Sequence, residues 1–153
     1  IGPVRAFIER LREAAAERGL EAQAFDSDLV FGAEHLLAAW DHADRAFAHG
    51  SNVASDRMVE VLLFAAGERQ ITRALEKLGL KEGKDRLALL VAGEGDPDVL
   101  LKKLELVRDD SLLAGRVDML PAFGITKEEI ETVADDRVFD LVLERVALAA
   151  LRR

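Results

Sequence analysis

The segment Met58-Val59-Glu60-Val61-Leu62-Leu63-Phe64-Ala65-Ala66 is apolar almost all the way round a helix, and a helix without a polar face must be enclosed on every side. One amphipathic layer cannot enclose it. The chain has to wrap other elements around this helix. Its 153 residues suffice for one domain, since a chain of that size buries roughly two thirds of the surface its unfolded form exposes.

The flanking sequence supplies those elements. Pro3 opens a first helix on which Val4, Phe7, Ile8, Leu11 and Ala15 follow the helical period, and Gly19 ends it. Glu21 to Phe25 reads as a short strand and Asp26 to Asp28 as a turn. From Gly32 to Ala48, Leu36, Leu37, Trp40, Ala43 and Phe47 make an apolar helix face closed by Gly50. Ser55 or Asp56 can cap the enclosed helix, and Gly67 interrupts it. Ile71, Ala74, Leu75 and Leu78 form the inner face of the next helix, stopped by Gly79. The continuous apolar run Leu87 to Ala92 is expected to be the central strand. Asp96 and Pro97 start a helix reaching Leu104, Thr126 and Glu129 form a capping-box pattern, and a last helix is expected to begin near Asp136. The fold class this predicts is α+β, or mixed α/β: a small central sheet covered by six or seven helices in a single domain.

Composition narrows the function. The absence of cysteine excludes a disulfide framework, a thiolate metal site and a cysteine nucleophile. Apolar runs stay below the roughly 18 residues needed to span a bilayer, and no basic, hydrophobic leader precedes Ile1. A cytoplasmic chain, processed or truncated at its start, is therefore expected. A net charge of -8 argues against a broad basic surface for coating nucleic acid. The acidity is uneven: residues 56–86 carry seven Lys/Arg against six Asp/Glu, and the remainder fourteen against twenty-three.

Most candidate sites have plainer readings. His35, His42 and His49 recur every seven residues, a rise of about 10.5 Å along a helix. Nitrogens sharing one metal lie only about 3 to 4 Å apart. No metal site is expected, and the histidines with Ala39 and Ala46 read as a packing seam. Gly93-Glu94-Gly95 has the position of a phosphate loop, but the third glycine is absent and Glu94, Asp96 and Asp98 would repel an anion. No Ser-His-Asp arrangement appears, so neither catalytic residues nor a cofactor is expected.

Two surfaces remain. Arg69, Arg73 and Lys77, spaced i, i+4 and i+8, would form one cationic ridge with Gln70 beside it, suited to hold phosphates while the amide reads a base or sugar. The alternative is a solvated helix face. From Val138 to Leu151 only Asp140, Glu144 and Arg145 are polar, so Leu141, Leu143, Val146, Leu148 and Leu151, with their apolar neighbours, cannot all share one inward stripe. The surplus is either covered by neighbouring helices or forms a patch for a protein partner.

Residues 29–47 (LVFGAEHLLAAWDHADRAF), Asn52 in GSNVA, residues 62–83 (LLFAAGERQITRALEKLGLKEG) and the closing FGIT and LERVAL segments resemble the small kinase-binding subunit of the archaeal and eukaryotic KEOPS complex. The likeness covers nearly the whole chain, and Gly67-Glu68-Arg69-Gln70-Ile71 is its most specific part. The resemblance implies a non-catalytic subunit of the machinery that installs threonylcarbamoyl-adenosine beside the anticodon of tRNAs reading ANN codons. It implies docking on that complex's atypical kinase/ATPase, indirect contact with the other subunits and, in archaeal members, capture of the tRNA 3′ CCA end. It brings Asn52 into the RNA-binding set with Arg69, Gln70, Arg73 and Lys77, and makes the last helix the kinase-binding surface. It also implies a β-strand before the first helix. Ile1-Gly2 leads almost directly into Pro3, so that strand is expected to be missing and the sheet to lack an edge.

Overall fold

The computed structural model describes residues 3–109, 117–123, 125–131 and 140–151. Its elements run α1 (Val4–Ala16), β1 (Leu20–Phe25), α2 (Ala33–His49), α3 (Arg57–Ala66), α4 (Ile71–Leu78), β2 (Ala88–Gly93), α5 (Pro97–Lys103), α6 (Lys127–Glu131) and α7 (Asp140–Leu151), with 3-10 turns at Ser27–Leu29 and Val117–Phe123. It is an α+β fold, in which helices surround a small antiparallel sheet of two strands. No described helix is long and apolar enough to cross a membrane.

Local signals set most boundaries. The Asp56 carboxylate accepts from the backbone N–H of Met58 and Val59 and starts α3, and Gly50 in the left-handed region closes α2. Thr126 and Glu129 form the reciprocal pair the sequence predicts: Glu129 N–H donates to Thr126 Oγ1 at 3.1 Å and Thr126 N–H to Glu129 Oε1 at 3.4 Å. The predicted start of the last helix near Asp136 lies outside the described residues, and α7 is described from Asp140.

Two apolar clusters lie on opposite sides of the β-ribbon. Leu20, Ala22 and Ala24 of β1 pack with Phe7, Leu11, Ala14 and Ala15 of α1 and with Leu100 of α5. Phe25 joins the larger cluster of α2, α3, α4 and α7. Every residue of α3 from Met58 to Ala66 is buried except Val59, which is half-buried, so this helix is enclosed as its composition demands. Its one charged member in that run, Glu60, is fully buried and accepts from Val53 N–H at 3.0 Å and Ala54 N–H at 3.3 Å, which pins the loop between α2 and α3.

Among the described residues the apolar run in β2 is not a central strand. Its one neighbour there is β1, with Leu20 opposite Gly93 and Phe25 opposite Ala88, and only Ala88 of β2 is fully buried. The run is apolar because both its faces are packed: Leu89 and Val91 lie against the α1 cluster, and Leu90 and Ala92 against the larger one. A continuous apolar stretch reports covered faces, and it is silent about a strand's edges.

Candidate functional site

The last carbonyls of α3 are all accounted for. Gly67, at φ 68°, turns the chain so that Gly67 N–H donates to Phe64 O at 3.0 Å and Glu68 N–H to Leu63 O at 2.9 Å. The next two carbonyls are met by side chains from other elements. His35 Nε2 lies 2.8 Å from Ala65 O, and Lys77 Nζ donates to Ala66 O at 3.0 Å. Phe31 N–H donates to His35 Nδ1 at 3.2 Å, so the proton sits on Nε2 and points at Ala65. Burial pushes the His35 pKa down to about 4, with the bond to Ala65 acting the other way.

The start of α4, four residues on, has no such closure. Gln70 is its N-cap, yet the amide side chain makes no capping bond. Among the described residues no side chain caps the first-turn N–H groups of α4, and Arg69, Gln70 and Arg73 are all exposed around them. Neither guanidinium forms an ion pair among the described residues. Backbone donors at a helix start, flanked by two arginines, make an arrangement suited to a phosphate group.

The predicted three-cation ridge does not form. Arg69 precedes α4 and is not on it, and Lys77 is turned away. Its side chain is 19% exposed, with Nζ 2.8 Å from Glu68 Oε1 and 5.5 Å from the centre of the Phe123 ring. The predicted inner face also rotates. Ala74 and Leu78 are buried, whereas Ile71 and Leu75 are 44% and 48% exposed. Ala74 has little side chain, so α4 packs close on α3 along the Ala74–Leu78 line and carries Ile71 and Leu75 to the rim. Asn52 is half-buried and donates from Nδ2 to Ala54 O at 2.9 Å, within its own loop.

The last helix divides as well. Leu141 and Val146, expected on the partner surface, are 6% and 1% exposed and belong to the core with Val142 and Ala149. Leu143 is half-buried, Leu148 is 39% exposed, and the Leu151 side chain lies outside the described residues. Packing of α7 against both α2 and α3 explains this, because two neighbours cover a wider arc than one. Arg145 clasps the same region. Its guanidinium donates twice to the Glu129 carboxylate, at 2.8 and 2.9 Å, and once to Phe123 O at 3.2 Å, and the hydrogen bonds from Arg145, with its charge, lower the Glu129 pKa from its ordinary value. Glu129 and Arg145 stand 16 residues apart, so no local pattern announces the clasp.

The histidine seam holds only in part. His35, Ala39 and Ala46 are buried, while His42 stacks half-exposed on Phe64 and His49 lies on the surface with Nδ1 2.8 Å from Arg45 O. The glycine loop after β2 is a packed corner. A Cβ on Gly93 would meet Gly19 O at 2.5 Å, and one on Gly95 would meet Arg18 O at 2.3 Å, so both glycines serve close passage of two chain segments. On the far side of the ribbon an open cleft of about 730 Å³ runs between β2, α1 and α5. Its floor includes Phe7, Leu87, Leu89 and Leu101, and its rim mixes Arg10 and Arg86 with Asp85 and Asp98.

The family model described as kinase binding protein CGI-121 matches residues 5–149. The chain is also similar to a regulatory protein, Cgi121, of Methanocaldococcus jannaschii, with 26% identity over a 155-residue alignment that covers 94% of this chain and 93% of that protein.

Proposed function

The chain belongs to the family of kinase binding protein CGI-121, and from that premise we propose that it is a non-catalytic regulatory subunit of the KEOPS complex, docking on the atypical kinase/ATPase and binding the 3′ CCA end of tRNA. In this reading it acts in the cytoplasm, in the modification of tRNA to threonylcarbamoyl-adenosine, and meets the other subunits indirectly. The regulatory and kinase-binding part draws on the family and on the archaeal relative's description. The RNA part is carried by one observation: the uncapped start of α4, with Arg69, Gln70 and Arg73 exposed around it.

A site this small on a chain of net charge -8 suits a single terminus or loop better than a duplex. Arg69 and Arg73 hold phosphates, Gln70 reads a base or sugar edge, and Ile71 and Leu75 offer apolar contact beside them. Asn52 contributes through the shape of its own loop, and Lys77, on α4, through its hold on Glu68. The test is retention of tRNA with and without its CCA tail by the purified protein at low salt. Retention of the tailed form alone is expected, and equal retention of both would end the reading.

The kinase arm rests on the exposed remainder of α7, Leu148 with Leu143, since Leu141 and Val146 are occupied in the core. Leu148→Glu is expected to abolish co-elution with the kinase while far-ultraviolet circular dichroism stays unchanged. Co-elution as before would move the interface off α7.

A further inference from the structure

We infer that Lys77 is a positioning residue: it clamps the Gly67–Gln70 loop to the end of α3 so that Arg69 and Gln70 are held toward a bound RNA, an assignment that rests on the RNA-binding reading above. Lys77 comes from the last turn of α4, yet its ammonium lies at the far end of that helix's connection to α3. Side chains on a helix lean toward its N-terminus, so the Lys77 stem starts out in the direction of the connection to α3. Two of the ammonium's three donors go to Ala66 O at 3.0 Å and Glu68 Oε1 at 2.8 Å, and its charge lies 5.5 Å from the centre of the Phe123 ring.

The partners explain the loop's shape. Glu68 is bound twice, by its N–H to Leu63 O and by its carboxylate to Lys77, so both the backbone and the side chain of the residue before Arg69 are fixed. The pair is largely sheltered, at 19% and 22% side-chain exposure, which spares it much of the solvent screening that weakens surface ion pairs. Phe123 ties the clamp to the rest of the fold: its ring also packs edge-on to Phe31 and His35, and its carbonyl accepts from Arg145. With two of its donors engaged and its charge paired with Glu68, Lys77 is poorly placed to hold a phosphate. It neutralises the negative end of α3 instead, which would otherwise face an incoming phosphate next to Arg69.

Two variants separate positioning from direct contact, because contact and positioning predict opposite signs at Glu68. The chain is titrated onto fluorescein-labelled tRNA at several salt concentrations, and amide exchange at Gly67–Gln70 is followed by mass spectrometry. Lys77→Met and Glu68→Ala are both expected to weaken binding by roughly fivefold, on the scale of one lost hydrogen bond. Both leave the slope of log affinity against log salt unchanged and speed loop exchange. Arg69→Ala is expected to lower that slope by about one and leave exchange as it was. Tighter binding by Glu68→Ala, together with a lower slope in Lys77→Met, would make Lys77 a phosphate contact and overturn the clamp while the RNA reading stands. Affinity unmoved by Arg69→Ala, with exchange still faster in Lys77→Met, would instead overturn the RNA reading and with it any positioning for RNA.

Discussion

Four residues separate the end of helix α3 from the start of α4, and the two ends are treated oppositely. At the end of α3, carbonyls from Leu63 to Ala66 are met by Glu68 N–H, Gly67 N–H, His35 and Lys77. At the start of α4, Gln70 provides no side-chain acceptor and two arginines stand exposed. The difference follows from burial. An enclosed helix end has no water to satisfy its carbonyls, so the fold must supply donors. An exposed helix start can leave its amides to solvent, or to a ligand carrying negative charge. One segment thus contains a closed junction that holds the fold and an open one whose amides and arginines face outward.

That contrast predicts a graded set of effects. Leu63→Ala at the closed end is expected to cost about 2–5 kcal/mol, read as a lower urea midpoint at unchanged slope. A loss under about 1 kcal/mol would mean that α3 is not enclosed on all sides. Acid should act on the same end through His35. Its folded pKa of about 4 lies below the unfolded value of 6.5, so the unfolded chain takes up a proton that the native chain refuses. The neutral ring's contribution is complete above pH 6.5, is lost progressively as pH falls, and levels off below about 4, for a total near 3 kcal/mol. Urea midpoints that do not fall between pH 7 and 5 would contradict a neutral, buried His35.

Gly67→Ala comes next, at roughly 1 kcal/mol, because a side chain in the left-handed region is strained even though the nearest atom, Arg145 O, lies 3.8 Å from the added carbon. The smallest change in stability belongs to the open end. Arg73→Ala should leave the unfolding free energy within about 0.5 kcal/mol of the parent, yet reduce the salt dependence of tRNA binding by about one phosphate. A large loss of stability there would show that Arg73 belongs to the closed junction.

Most of the fold is legible in the chain, because its signals are local. The enclosed α3, its Asp56 cap, the Gly50 and Gly67 stops and the Thr126–Glu129 box each depend on residues within a few positions of one another. The candidate site is legible only in part. Arg69, Gln70 and Arg73 are exposed as their pattern suggests, but the spacing that enrols Lys77 in the same ridge says nothing of Glu68 and Ala66 waiting to bind it. The apolar surplus of α7 is real in the sequence, while the burial of Leu141 and Val146 depends on two helices arriving from elsewhere in the chain.

By itself, then, the sequence determined where helices start and stop, which helix must be enclosed and where positive charge gathers, since propensity, capping and periodicity act over a few residues. The tertiary structure decided which of those charges remain free. An ammonium or imidazole is a ligand contact or a structural donor according to what lies across from it, and for Lys77 and His35 that is a carbonyl at the end of α3, 11 and 30 residues away in the chain.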